Sequence, residues 1–286
     1  MLKDSYRYIM NYVRNSIKSP EIKQSKIKKY IKRNNGMPKD RMLVADYSIA
    51  LVVPCYMHEK YVEKTFLSIV NQTKKPDEII FINDCSPDET LTVLEKCVSR
   101  YADTEPEFIK RVKILSNSKN IGQAASLNYA INTSNSNLIM ILNDDDYLFH
   151  DAIEVMVELF KKYNYLYMIG ATHIPFNDDS LLNVNSKSIL EFYSIDDIKL
   201  TIHNPENVFN YINYDDLNMT HSSCTFKKKA WEVVGGYYSN KKERIVPFSD
   251  RDFQIRVNCF FPVGVSYNIP FSFWRSNSSV DAGINS

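Results

Sequence analysis

The chain has 286 residues, of which 44% are hydrophobic and 24% charged, enough apolar material for a sizeable core, so global disorder is excluded. Its aliphatic runs stop at five residues, Ile49–Val53 and Leu138–Leu142, far short of the roughly 20 a membrane-crossing helix needs. The near-neutral total of 35 Lys and Arg against 34 acids hides two opposed parts: residues 1–42 hold 12 bases and three acids, and the remainder holds 23 and 31.

That split predicts a basic N-terminal arm over residues 1–42, followed by one domain of ordinary size over residues 43–286. Tyr8, Ile9, Tyr12, Val13 and Ile17 recur at helical spacing among Lys and Arg. Such an amphipathic helix packs on its own domain or a partner, or else lies on an anionic membrane surface. With no continuous apolar leader, the chain is expected to work where it is made, in the cytoplasm, with peripheral membrane contact through the arm as the exception. The arm's charge comes with no nucleic-acid-binding motif, so nucleic acid is not expected as a partner.

Ser48–Pro54 reads as a buried strand, and Tyr61, Val62, Phe66, Ile69 and Val70 follow at helical spacing. Glu78–Ile82 gives a second strand. Its end runs into Ser86-Pro87-Asp88-Glu89, the pattern of a capping box, ahead of a helix carrying Leu91, Leu94, Val98 and Tyr101 on one stripe. Val112–Leu115 is a third strand, Gln123–Ile131 a helix and Leu138–Leu142 a fourth strand. Regular β-α alternation predicts an α/β fold with a mostly parallel central sheet flanked by helices. Beyond residue 165 the pattern weakens: Tyr165–Thr172 and Ser222–Phe226 are strand-like, Pro205–Tyr211 suggests a short helix, and Lys227–Val234 suggests a helix stopped by Gly235-Gly236.

Open parallel sheets bind ligands beyond the carboxyl ends of their strands. The first strand ends at Pro54-Cys55-Tyr56, the second at Asn83-Asp84-Cys85 and the fourth at Asn143-Asp144-Asp145-Asp146, so two strands deliver acids to one rim. Three consecutive aspartates repel one another unless a cation sits among them, and oxygen ligands favour Mg²⁺ or Mn²⁺ held together with substrate phosphates. The seven glycines form no G-x-G-x-x-G, P-loop or G-x-S-x-G pattern, and the five cysteines form no CxxC pair and no cluster with histidine. His58 reads as a solvated loop histidine, with contact to the donor as the alternative, and Trp231 and Trp274 as packing residues, with sugar stacking as theirs.

The stretch IALVVPCYMHEKYVEKTFLSIVNQTKKPDEIIFINDCSPDE, residues 49–89, resembles the opening of family 2 glycosyltransferases of the GT-A, Rossmann-like fold. Asn120-Ile121-Gly122 to Asn128 is similar to their N-x-G-x-x-x-A-R-N segment, and residues 142–148 resemble L-D-x-D-D-x-L. Gly235-Gly236-Tyr237 and Ser249–Arg256 resemble G-G-F and E-D-x-x-L-x-x-R. The resemblance implies a nucleotide-sugar-binding half over residues 43–148 and an acceptor-binding half over 149–286. It implies a donor site, for a UDP-sugar, formed by Pro54, Tyr56, Glu59, Asp84, Asn120 and Asp144, with Asp84 accepting the uracil N–H. Asp145 and Asn277 would ligate Mn²⁺ or Mg²⁺, and Asp250 would be the base in an inverting transfer to a saccharide or lipid-linked saccharide, as in polysaccharide biosynthesis. Four positions depart from the pattern: Asn143 replaces the first acid, Leu127 an Arg expected to face donor phosphates, Ser249 a Glu, and Asn277 a metal-ligating His. These departures leave open a catalytically silent nucleotide- or glycan-binding domain.

Overall fold

The structure, a computed structural model, describes residues 46–177, 187–205, 217–239 and 249–276. All of them lie in the unit Asp46–Ser286, one of two into which the chain divides. The basic arm, most of the expected helix over 205–211, and Asn277 lie outside the described residues.

Four strands open this unit: β1 (Ile49–Cys55), β2 (Glu78–Asn83), β3 (Val112–Ser116) and β4 (Leu138–Ile141). Between them run α1 (Val62–Val70), α2 (Thr90–Tyr101), the short α3 (Pro106–Ile109) and α4 (Gln123–Thr133). All seven residues of β1 are buried, as expected of a strand covered by helices on both faces. On one face Ala50, Val52, Ile80 and Ile139 share a cluster with Leu127, Ala130 and Ile131 of α4. On the other, the Phe81 ring stacks on Phe66 of α1 with centroids 5.9 Å apart. Leu127 is therefore core rather than the site-facing position expected of it. It shares its helical face with Ala124, Ala130 and Ile131, and all of them are buried.

The chain continues through β5 (Tyr147–Leu148), α5 (Ala152–Lys162), β6 (Met168–Ala171), β7 (His173–Phe176) and β8 (Thr201–His203). After these come β9 (Thr225–Lys227), α6 (Lys228–Val234), α7 (Ser249–Asn258), β10 (Val263–Ser266) and β11 (Ser272–Arg275). The main sheet has the order β3-β2-β1-β4-β9-β6-β10-β8. Strand β9 runs antiparallel to both β4 and β6, and β8 antiparallel to β10; every other pairing is parallel. Six of the eight strands thus point one way, and their carboxyl ends share one edge. A small second sheet, β5-β11-β7, stands beside that edge and returns the chain to the acid turn after β4.

Candidate active site

Parallel pairing fixes which turns meet. Cys55 is level with Asn83, and Val52 with Ile141, so the turns after β1, β2 and β4 emerge together. Pro54 fits in a central strand because β1–β4 pairing ends at Val52 and asks no N–H of it. The first two turns are joined by hydrogen bonds. Met57 N–H donates to Ser86 Oγ (3.3 Å), His58 N–H to Thr90 Oγ1 (2.9 Å), Glu59 N–H to Asp88 (3.2 Å) and Glu89 N–H to Glu59 Oε2 (2.9 Å). These bonds replace the expected capping box: α2 begins at Thr90 without a side-chain cap, because Ser86 and Glu89 serve the neighbouring turn. Met57 and Cys85 are left-handed (φ 59° and 57°), a conformation costing non-glycine residues about 1–3 kcal/mol and concentrated at functional sites.

Asp84 is 4% exposed. Its Oδ1 accepts Asn117 Nδ2–H (2.8 Å) and Ile121 N–H (2.9 Å), and its Oδ2 accepts Gly122 N–H (2.7 Å). Gly122 caps α4 at φ 89°, which lets its N–H turn toward the carboxylate. A carboxylate offers about four lone-pair sites, so Asp84 retains capacity for one further donor. Beside it on the same loop, Asn120 Oδ1 is buried without a hydrogen-bond partner. A buried acceptor left unpaired costs roughly 1–3 kcal/mol, which a ligand N–H or O–H would relieve.

After β4 the three aspartates diverge. Asp146 is fully buried and hydrogen-bonded at both oxygens. Ser222 Oγ–H donates to its Oδ2 (2.5 Å), Arg275 N–H to its Oδ1 (2.8 Å) and Asn143 Nδ2–H to Oδ2 at 3.4 Å. Burial, and then the charge of Asp145, raises its pKa. An acid at position 143 would add a third charge here, so Asn143 has a local reason. Asp144 turns toward β1: its Oδ2 accepts Tyr56 N–H (3.2 Å) and its Oδ1 lies 2.6 Å from His58 Nδ1. Burial pushes Asp144 up to about 6, against the opposing pull of His58. Thr65 Oγ1–H reaches the main-chain carbonyls of both Asp144 and Asp146 (2.8 and 3.0 Å), so α1 holds the turn. Arg275 closes it from the small sheet. Its Nε–H bonds Asp145 O at 3.3 Å, and its guanidinium lies 4.2 Å from the Tyr61 ring and 4.5 Å from that of Phe176.

His58 is not a solvated loop residue, for its side chain is 12% exposed. One ligand atom from each of His58, Asp144 and Asp145 lies within 4.8 Å of the others. That span approaches one coordination shell, and two carboxylates with an imidazole suit a divalent cation. Sequence reasoning undervalues His58 because its partner, Asp144, is 86 residues away.

Asp250 stands in the first turn of α7. The buried groups around it sense its charge. His221 is lowered by burial and raised in part by Asp250, while Cys224 is pushed up to about 12 by burial and then by Asp250. His221 Nε2 is 3.1 Å from the Tyr237 hydroxyl, and the Tyr237 ring stacks on Phe253, one turn beyond Asp250. Asn128 of α4 clamps Tyr237 from behind. Its Nδ2–H donates to Tyr237 O (2.8 Å), and its Oδ1 accepts Tyr237 N–H (2.8 Å) and Trp231 Nε1–H (3.0 Å). A Cβ on Gly236 would lie 2.5 Å from that Oδ1, and φ there is +72°, so the second glycine of the pair is sterically required.

The sequence profile described as glycosyl transferase family 2 matches residues 50–234, more than half of the chain. The chain belongs to this family. Relatives include an uncharacterized glycosyltransferase of Haemophilus influenzae, 32% identical over 123 residues, which are 43% of this chain and 36% of that protein. The chain thus spans little more than a third of that relative's length. The putative glycosyltransferase EpsE of Bacillus subtilis is 23% identical over 235 residues, 82% of this chain and 74% of its own. Among solved structures, Staphylococcus aureus TarS in complex with UDP-GlcNAc superposes with a TM-score of 0.58 at 13% identity, covering 81% of this chain and 59% of that one. The mannosyltransferase PcManGT of Pyrobaculum calidifontis, in complex with GDP-Man and Mn²⁺, gives 0.55 at 13% identity, covering 95% and 68%. These likenesses establish the GT-A fold.

Proposed function

We propose that this chain is an inverting, metal-dependent glycosyltransferase that moves a sugar from a nucleotide sugar, a UDP-sugar in the first instance, to a hydroxyl of a saccharide or lipid-linked saccharide. The observation that carries the reading is the convergence of His58, Asp144 and Asp145 at one sheet edge, alongside an Asp84 carboxylate with room for one further donor and an unpaired Asn120 Oδ1. In this reading the base and ribose lie along Tyr56, Asp84 and Asn120, and the diphosphate lies at the acid turn. Glu59 supports that side of the rim by tying the β1 turn to Glu89 N–H after β2. A divalent cation bound by Asp145 would neutralise the departing diphosphate as a Lewis acid. Asp250 takes the proton of the acceptor hydroxyl as its oxygen bonds to the anomeric carbon, and the electron pair of the breaking bond leaves with the nucleoside diphosphate. One base opposite the leaving group gives inversion.

Position 277 lies outside the described residues, so its assignment as a ligand rests on the resemblance alone. Peripheral membrane contact through residues 1–42 is proposed on charge alone; no helix among the described residues is long and apolar enough to cross a membrane. Asn143 and Ser249 favour a second reading, a silent nucleotide- or glycan-binding domain. One experiment separates the two. Nucleotide sugars carrying UDP and GDP are incubated with Mn²⁺ and candidate acceptors, released nucleoside diphosphate is followed, and the product anomer is read by NMR. Metal-dependent release with an inverted anomer is expected. Binding without turnover across the panel would leave the silent reading.

A further inference from the structure

We infer that His58 supplies a nitrogen ligand to the divalent cation of this rim, and that it thereby biases the site toward Mn²⁺ over Mg²⁺. The inference deepens the metal-dependent reading above and rests on it. Three features aim the ring. The His58 N–H is pinned to Thr90 Oγ1 (2.9 Å), its carbonyl receives the N–H groups of Tyr61 and Val62 that open α1 (2.9 and 3.0 Å), and the Tyr61 ring meets it edge-on at 5.7 Å. The side chain therefore leaves the β1 turn in one direction, and that direction ends 2.6 Å from Asp144 Oδ1.

The other four histidines lie elsewhere. His203 and His221 bond tyrosine hydroxyls, His173 packs against Trp274, and His150 lies ahead of α5. Among the described residues, the one grouping of three or more potential ligands contains His58. Where the family resemblance places a histidine ligand this chain has Asn277, so a nitrogen from the β1 turn would complete the set. Mg²⁺ prefers an all-oxygen octahedral shell, whereas affinity for nitrogen donors rises toward the transition metals, so an imidazole in the shell separates the two ions.

Mn²⁺, alone and with UDP, is titrated into the full chain and examined by pulsed electron paramagnetic resonance, with Mn²⁺ and Mg²⁺ affinities measured in parallel. We expect a ¹⁴N coupling from a directly bound imidazole that changes to a ¹⁵N signature when the protein carries ¹⁵N-histidine and disappears in His58→Gln. His58→Gln should weaken Mn²⁺ about tenfold or more while leaving Mg²⁺ nearly unchanged. The isotope substitution needs no mutation, so a folding defect cannot mimic its result. Asp145→Asn separates the two layers. If it abolishes Mn²⁺ binding but wild-type protein shows no histidine coupling, His58 only hydrogen-bonds Asp144 and the inference falls alone. If Asp145→Asn binds Mn²⁺ as tightly as wild type, the metal site and the inference fall together.

Discussion

Asp84 accepts three N–H groups from one loop, whereas among the described residues none hydrogen-bonds the carboxylate of Asp250. The same contrast divides the two halves of the molecule. Around Asp84 the turns after β1 and β2 are tied to each other and to the loop before α4, so a ligand there would meet a preorganised wall. At the start of α7 Asp250 is placed by packing, through Phe253 and Tyr237 and the Asn128 of α4 that holds Tyr237, and no described residue hydrogen-bonds its carboxylate. A carboxylate held by three hydrogen bonds is fixed in place with room for one further donor, and one left available can take a proton.

The largest effect that tests this contrast is at the unheld acid. Asp250→Asn should lower transfer by about 10²–10⁴-fold, with Mn²⁺-dependent UDP binding unchanged by calorimetry. Retention of full transfer would remove Asp250 as the base and erase the functional difference between the halves. Next is Asn128→Ala, which strands Tyr237 N–H, Tyr237 O and Trp231 Nε1–H. A loss of about 3 kcal/mol in chemical denaturation is expected, with kcat falling more than UDP affinity. Equal damage to UDP binding would mean that the Asp84 and Asp250 regions are not separately supported.

A smaller effect belongs to the other end of β2, at Glu78. Burial alone would raise the Glu78 carboxyl, but hydrogen bonds from Lys113, Ser136, Asn135 and Ser134 outweigh it and hold it at about 2. With the folded value below the unfolded 4.5, the stabilisation is complete above pH 4.5 and is lost as pH falls from there to 2. Allowing for solvent screening near the surface it is worth about 2 kcal/mol. Glu78→Gln should lose this amount at pH 7 and flatten the acid limb of the stability curve between those values.

How much of this the sequence reveals follows the same division. Strands β1, β2 and β4 carry continuous apolar runs ending in turn residues, and β3 a shorter run broken by Lys113, so their existence, their direction and the acids at the tips of β2 and β4 are legible. The role of Ser86 is not, because its hydroxyl has a partner, Met57 N–H, that local pattern cannot supply. Leu127 is readable as core from its spacing with Ala124 and Ile131. His58 is not readable as part of the acid turn, since only the parallel register brings it to Asp144. After β4, the strands β6 and β9 overlap the strand-like stretches Tyr165–Thr172 and Ser222–Phe226, but β5, β7, β8, β10 and β11, of two to four residues, carry too little periodicity to recognise, and nothing in the sequence signals that β9 inserts antiparallel between β4 and β6. The small sheet brings Arg275 to Asp146, a residue 129 positions earlier in the chain.

The most direct measurement is anomalous diffraction at the manganese edge from crystals grown with Mn²⁺ and UDP. A single peak within bonding distance of Asp145, between it and the UDP phosphates, is predicted, with the uracil beside Asp84 and Asn120. UDP bound at that edge with no manganese peak, or a peak remote from Asp145, would contradict the claim that these carboxylates exist to hold a cation against a sugar nucleotide.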